Sequence, residues 1–317
     1  MKYGFFSGIL WGLDTVILGI GLAMAPYAGT AAAAAFASIV GSFLHDAFCA
    51  IWLFGYMALK GRLKDTVAAL KTRSGKVVVL GALLGGPIGM TGYVIAISNI
   101  GAAYTAIISA FYPAVGAFLS YVLLKERMTK GQMAALCAAL LGVMAMGYLS
   151  AGSSEMANAP LGLLGAALTV IGWGSEAVLC AWGMKDDSVD NETALQIRET
   201  TSALVYGIVA LPIFGAWGFA SAAIPSVATG FIALSGLAGA TSYLFYYKGI
   251  STIGAAKAMA LNISYSAWAV VFGFLLLDIV PTIPSVVCCV VILVGTILAA
   301  TDWNELFGVG STNCLSD

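Results

Sequence analysis

Charge is scarce in this chain. Of its 317 residues, 9% are charged and 61% are hydrophobic, and the mean hydropathy is +0.97. This composition excludes a soluble globular domain, and the stretches between apolar segments are too short for an ATPase or other catalytic module. We predict an all-α integral membrane protein, because runs of about 20 apolar residues cross a bilayer as helices. Ten spans are expected, at residues 4–24, 31–59, 77–97, 102–124, 132–150, 161–183, 196–217, 224–247, 253–277 and 283–301.

The cysteine and histidine patterns of metal or disulfide sites are also lacking. The six cysteines show no C-x-x-C spacing, and His45 is the single histidine. A membrane enzyme would need a nucleophile with a base, or a metal cluster, and these residues supply neither. We therefore predict that the chain is not an enzyme and has no cofactor, no metal site and no nucleic-acid partner.

Basic residues are few, and their positions predict the topology. With the N-terminus in the cytoplasm and ten alternating spans, all 14 Lys and Arg residues fall on the cytoplasmic side, as the positive-inside rule requires. Arg198 is assigned to the inner end of span seven, so no Lys or Arg is expected at mid-membrane. This predicts a multi-pass protein of a bacterial inner or plasma membrane with both termini in the cytoplasm.

The chain repeats itself with an offset of 153 residues. Residues 97–103 read Ile-Ser-Asn-Ile-Gly-Ala-Ala, and residues 250–256 read Ile-Ser-Thr-Ile-Gly-Ala-Ala. Each half holds five spans, and this odd number inserts the second copy upside down, which places a central site between the halves. The predicted units are a first five-helix repeat at 1–150, an external linker at 151–159, a second inverted repeat at 160–303 and a disordered tail at 304–317.

A tryptophan followed by an acid occurs in the first span of each half. Trp11 precedes Asp14, and Trp173 precedes Glu176, by three residues, so each pair shares one helix face. A carboxylate in the hydrocarbon region is costly and is by default a functional hypothesis. With no Lys or Arg predicted nearby, each acid would bind a cationic substrate, carry a proton, or form a structural hydrogen bond to a neighbouring helix.

Further aromatic and polar residues could complete such a site. Ring faces hold a quaternary ammonium, which donates no hydrogen bond. His45 and Asp46 lie together in span two and could couple a proton, or form a structural polar contact. For the rings, the alternative is packing or an interfacial belt. The predicted substrate-binding residues are Trp11, Asp14, Tyr93, Tyr112, Trp173, Glu176, Tyr246, Tyr247 and Tyr265, and the proton-coupling candidates are Glu176, Asp14, His45 and Asp46.

Residues 4–300 resemble the drug/metabolite transporter superfamily of EamA type. The resemblance is carried by the ten spans, the Trp-Gly pair that opens each half, the Ile-Gly-Ala-Ala starts and the Leu-Leu-Lys-Glu-Arg-Met-Thr end of span four at 123–129. The second copy departs from it, because Asp278 lies one position early and no Glu follows. Within the superfamily, residues 8–14 and 173–176 and the tyrosines of spans eight and nine are most similar to the LicB-type bacterial choline transporters.

The resemblance implies secondary transport by alternating access. Import of choline or a related quaternary amine is expected, driven by the membrane potential and with possible coupling to protons, in a bilayer-embedded monomer or homodimer. The alternative is an exporter of amino acids or cationic drugs. A zwitterion would require a cation inside the cavity, and none of the 14 basic residues is expected at mid-membrane. A receptor or scaffold would not need a buried acid in each half.

Overall fold

The computed structural model describes residues 1–149, 158–185 and 189–301, and in these residues every regular element is helical. The predicted tail at 304–317 and most of the predicted linker lie outside the described residues. The helices are α1 Lys2–Leu22, α2 Ala31–Leu59, α3 Leu63–Leu70, α4 Arg73–Leu83, α5 Thr91–Ser109, α6 Tyr112–Leu119, α7 Lys130–Leu149, α8 Ala159–Gly183, α9 Asn191–Val205, α10 Leu211–Ile213, α11 Trp217–Ala223, α12 Val227–Ile253, α13 Ala255–Asn262, α14 Tyr265–Leu277 and α15 Ile283–Ala300, with π-helical segments at Leu84–Met90, Ser120–Leu124 and Tyr206–Ala210.

Local sequence explains where the long helices begin. A Thr, Asn, Asp or Ser side chain accepts a hydrogen bond from a backbone N–H of the first turn at the starts of α2, α4, α8, α9, α12 and α15. The Thr129 hydroxyl and the Gln132 amide form a reciprocal capping box before α7. Most of these helices begin within four residues of the predicted start of the matching span. Helix α9 begins five residues before the predicted start of its span at 196.

Nine helical segments of the described residues are long and apolar enough to cross a membrane, which confirms an all-α membrane protein. The predicted span at 196–217 is not among them. The chain is helical there, from Asn191 to Ile213, but α9 buries Gln196, Arg198 and Glu199 inside the protein. The predicted count of ten is therefore not confirmed, because the helix at this place carries much of the protein's buried polar chemistry.

Local geometry recurs at the sequence offset of 153. Lys125 and Asp278, which end the segments at Leu124 and Leu277, both adopt a left-handed backbone conformation with φ of 61° and 54°. The caps Thr129 and Thr282 each accept a hydrogen bond from the residue three positions on, and the helices that follow begin at Lys130 and Ile283. These matches accord with two copies of one design, while the inverted orientation and the domain limits stay predictions.

Glycines let α1 and α8 approach their neighbours closely. Ideal Cβ atoms placed on Gly8 and Gly12 of α1 would overlap Ser264 and Trp268, and Gly165 and Gly172 of α8 lie against the backbone of Gly92 and Gly89. Such small-residue contacts are typical of helix packing in membranes. They bring the two Trp-acid pairs into the interior of the bundle.

Candidate functional site

Asp14 lies on the inner face of α1, where it is only 2% exposed. Both of its carboxylate oxygens lie 3.2 Å from Nε2 of His45, and the Ser235 hydroxyl of α12 donates to Oδ1. Gly239, one turn further along α12, leaves room for this pair, because a Cβ there would lie about 3 Å from both side chains. The predicted buried acid thus has a titratable partner, which is the predicted His45.

His45 bridges two carboxylates. Its Nδ1 lies 3.3 Å from Oδ1 of Asp46, on the side opposite Asp14. An imidazolium can donate from both nitrogens, whereas a neutral imidazole has one N–H and leaves the second contact to a protonated carboxyl group. The three side chains can therefore share protons along a continuous path, and all three are at most 7% exposed.

Asp46 connects this path to α9. The Ser202 hydroxyl donates to its Oδ2 at 2.6 Å, and Nη1 of Arg198 lies 3.6 Å from the same oxygen. Because both partners belong to α9, this helix joins the acid network of α1 and α2 to the remainder of the site.

Glu176 on α8 has a strong basic partner, which contradicts the expectation drawn from the sequence. Nε of Arg198 donates to Oε1 of Glu176 at 2.6 Å, and the Arg198 side chain is 5% exposed. The prediction that no Lys or Arg lies within a span to neutralise the acid was wrong for Glu176. The charge count had assigned Arg198 to the cytoplasmic end of a span, but α9 starts at Asn191 and carries Arg198 two turns inward.

This correction also removes one argument against a zwitterionic substrate, because a buried cation exists. That cation is already surrounded by acids, however. Glu199 is fully buried, and its Oε2 lies 2.8 Å from Nη1 of Arg198. The carboxylates of Asp14, Asp46, Glu176 and Glu199 thus outnumber the two basic side chains, His45 and Arg198, in this network.

The predicted aromatic residues form two groups beside these charges. Trp11 lies edge-on to Tyr265 and His45, with 6.4 Å between ring centroids in each case. Trp173 packs against Tyr93 at 5.3 Å and Tyr112 at 5.8 Å. Each tryptophan thus organises rings beside the acid of its own helix.

Tyr243 joins these parts and was missed from the sequence. Its ring lies 4.6 Å from that of Trp11, packs against Tyr246 and Tyr247, and is covered by the Arg198 guanidinium at 4.9 Å. The spacing could have identified it, because Tyr243 precedes Tyr246 and Tyr247 by three and four residues and so shares their helix face.

The π-helical segment at 84–90 shapes the wall of the site. Cβ atoms added to Gly85 and Gly86 would overlap the Glu176 carboxylate and the Ser202 hydroxyl, and one on Gly89 would press on the Trp173 ring. Such segments occur often at functional sites because they re-aim the backbone. Here the glycines of the segment leave room for side chains of α8 and α9 to lie next to each other.

An ionic cluster lies apart from this site, where α2 is followed by α3 and α9 begins. Arg62 pairs with Asp190 and Glu192 at 2.6 Å each, and Lys60 binds Glu192 at 2.7 Å. Burial raises the pKa of Asp190, but hydrogen bonds from Thr193 and the Arg62 guanidinium outweigh it and hold that pKa below its ordinary value. The cluster links the segment after α2 to the start of α9 on one side of the bundle. This agrees with the prediction that both lie on the same side of the membrane.

Two cavities of about 440 and 450 Å³ lie elsewhere, one beside Tyr121 and Arg127 and one beside Tyr27 and Thr30. In the described parts of the chain, no group of three or more His, Cys, Asp or Glu side chains is arranged to hold a metal ion. The contacts described are of a kind that can bind a cation through carboxylates and ring faces and can exchange a proton between His45 and its two carboxylate neighbours.

Comparison with known families agrees with this chemistry. Residues 1–148 and 160–301 match the EamA-like transporter family. The chain belongs to this family. The members of this family are transporters and not enzymes, as the resemblance implied.

Two relatives of this EamA-family chain extend the comparison. Protein LicB of Haemophilus influenzae is 31% identical over 199 residues, which is 62% of this chain and 65% of LicB, so the match spans less than two thirds of that relative. A crystal structure described only as that of a protein has a TM-score of 0.69 at 16% identity, covering 94% of this chain and 96% of that one. The second likeness shows a common fold alone.

Proposed function

We propose that this EamA-family transporter imports choline or a related quaternary amine by alternating access. The observation that carries the proposal is the environment of Arg198. A guanidinium held by the Glu176 carboxylate under the ring of Tyr243 means that this place in the protein already binds a cation. A quaternary ammonium is recognised by the same two groups, with each ring contributing about 0.5–2 kcal/mol.

The charges of the site fit the entry of one cation with one proton. With all four carboxylates ionised and His45 protonated, two negative charges would stay uncompensated in a buried place, which is unfavourable. One substrate cation and one proton neutralise them. The proton would reside on the Asp14, His45 and Asp46 path, where both imidazole nitrogens face carboxylates.

The membrane potential supplies a driving force for such import. A cation gains about 2.3 kcal/mol per 100 mV on entering a negative interior. We place both termini in the cytoplasm of a bacterial cell, with the two five-helix repeats rocking about the site. The similarity to LicB over part of its length supports this branch of the family.

Uptake into proteoliposomes tests the proposal. An imposed inside-negative potential should drive accumulation of labelled choline, and an inward proton gradient should increase it. His45→Gln should abolish the effect of the proton gradient but keep uptake driven by the potential. Asp65 belongs to the separate ionic cluster, where Nε of Arg62 donates to its Oδ2 at 2.7 Å. Asp65→Asn is therefore the matched control and should behave as the wild type.

Other results would change the assignment. Choline uptake that ignores the potential would contradict import of a cation. Extrusion of amino acids or cationic drugs, with no choline uptake, would favour the exporter function known for the superfamily. A betaine preference over choline would contradict the charge argument within the proposal, because the betaine carboxylate would face four acids.

A further inference from the structure

Arg198 occupies the position that a substrate cation would take. Its Nε donates to Glu176 at 2.6 Å, and its guanidinium carbon lies 4.9 Å from the Tyr243 ring centroid. A quaternary ammonium on Glu176 would need the same carboxylate and the same ring face. The substrate and Arg198 therefore exclude each other from this place, and the conformation described has the arginine in it.

A second acid, Glu199, lies beside the Arg198 guanidinium. Oε2 of Glu199 lies 2.8 Å from Nη1 of Arg198, yet neither Glu199 oxygen nor Nη1 has a partner in hydrogen-bonding geometry. Glu199 is 0% exposed, so bulk solvent does not reach it. Unsatisfied buried groups of this kind are costly. A small rotation of the guanidinium would release Glu176 and satisfy Glu199.

We infer that Arg198 is a tethered counter-cation that alternates between two acids. In the empty transporter it neutralises Glu176, and when the substrate ammonium binds Glu176 it moves to Glu199. This inference rests on the proposed function, because it needs a cationic substrate at Glu176. It assigns a role to Arg198 and Glu199, which the proposed function leaves without one.

The movement of Arg198 between the two acids has opposite effects on substrate binding and on turnover. Arg198 competes with the substrate and so weakens its binding. During the return of the empty transporter, however, Arg198 keeps Glu176 paired, and an unpaired buried carboxylate would slow that step. Net uptake requires the empty return, whereas exchange of internal for external substrate does not.

The double variant Arg198→Gln with Glu199→Gln tests this movement of Arg198. It removes one positive and one negative charge, so the net charge of the site is unchanged. We expect the Kd for choline to fall by about tenfold, net uptake to fall by at least about tenfold, and choline-for-choline exchange to be kept. Glu199→Gln alone should raise the Kd, because Arg198 is then left with only the more distant Asp46, whose Oδ2 lies 3.6 Å from Nη1, as a second acid.

Two further variants secure the result. Arg62→Gln with Asp65→Asn removes an equivalent pair from the separate ionic cluster and should change neither binding nor the ratio of exchange to net uptake. If the double variant does not fold, Arg198→Gln replaces it. Glutamine leaves Glu176 without a tethered cation during the empty return, so net uptake should again fall while exchange is kept.

The outcomes separate the two claims. If the wild type does not bind choline, the proposed function fails and the inference fails with it. If the wild type binds choline but the double variant shows unchanged affinity, or loses exchange and net uptake in parallel, the inference alone is overturned. Tighter binding with selective loss of net uptake supports it.

Discussion

Single glycines control the position of Glu176. Gly85 lies so close to the Glu176 carboxylate that an added methyl group would overlap it. Gly85→Ala should therefore move Glu176 away from Arg198 and raise the Kd for choline by about tenfold or more, measured by calorimetric titration. Gly218→Ala is the matched control, because a Cβ there meets no atom within 4 Å. Equal affinities in the two variants would contradict the described position of Glu176.

Trp173 is expected to contribute directly to cation binding. It gathers Tyr93 and Tyr112 next to Glu176, and loss of one ring face costs about 0.5–2 kcal/mol. Trp173→Leu should weaken choline binding by a factor of about 2 to 30 in the same titration. Trp217→Leu, on α11, should leave the affinity unchanged. A Trp173 variant that binds as the wild type would assign this ring to packing.

The sequence identified which residues belong to this site better than it identified which of them contact each other. The Trp-acid spacing, His45 and the tyrosines could be recognised because a polar or aromatic residue in an apolar run is conspicuous. The pairing of Glu176 with Arg198 could not, because it depends on how far α9 carries residue 198 into the bundle. Ser202 and Ser235 gave no signal, since a serine is common in membrane helices.

At the scale of elements, the two left-handed turns should respond alike to substitution. Lys125 and Asp278 have φ of 61° and 54°, a conformation that costs a residue with a side chain about 1–2 kcal/mol and glycine little. Lys125→Gly and Asp278→Gly should each raise the thermal unfolding midpoint. Lys130→Gly, in the first turn of α7, should lower it, because glycine disfavours a helix. A fall for both turn variants would contradict these backbone conformations.

Helix limits were predicted where caps and prolines mark them, and less well where helices break internally. The start of α15 at Ile283 matches the prediction because Thr282 caps it. The division of the segment 253–277 into α13 and α14 was not predicted, since Leu261, Asn262 and Ile263 give no breaking signal. The π-helical segments were not predicted, although Pro87 lies within the one at Leu84–Met90.

At the scale of the whole molecule, the ionic cluster should make stability depend on acid pH. The pKa of Asp190 is lowered, and that of Glu192 is lowered as well, because hydrogen bonds from Lys60 and Tyr56 outweigh the effect of burial. A carboxyl group whose pKa is lowered by folding stabilises the folded state at pH values above its unfolded-state pKa of about 4. This contribution is lost as the pH falls from that value through the folded-state pKa. Thermal midpoints between pH 7 and pH 3 should fall less steeply for Arg62→Gln than for the wild type. Parallel curves would contradict this role.

The membrane class could be predicted from the apolar runs, and the family from the resemblance carried by residues 4–300. The internal repeat, which rests on the matching segments, stays a prediction. The number of membrane-crossing helices could not be settled, because α9 combines a helical span with buried polar groups. A hydropathy scale scores each residue by itself, whereas the burial of Arg198 depends on partners from α2, α8 and α12.

The most direct test of the account is calorimetric titration of choline into the purified protein, with Glu176→Gln and Asp65→Asn alongside. We predict saturable binding to the wild type and to Asp65→Asn, and its loss in Glu176→Gln, since the amide cannot neutralise a bound cation. Equal binding to all three proteins, or no binding of choline to a folded wild type, would contradict a carboxylate-and-aromatic cation site at Glu176.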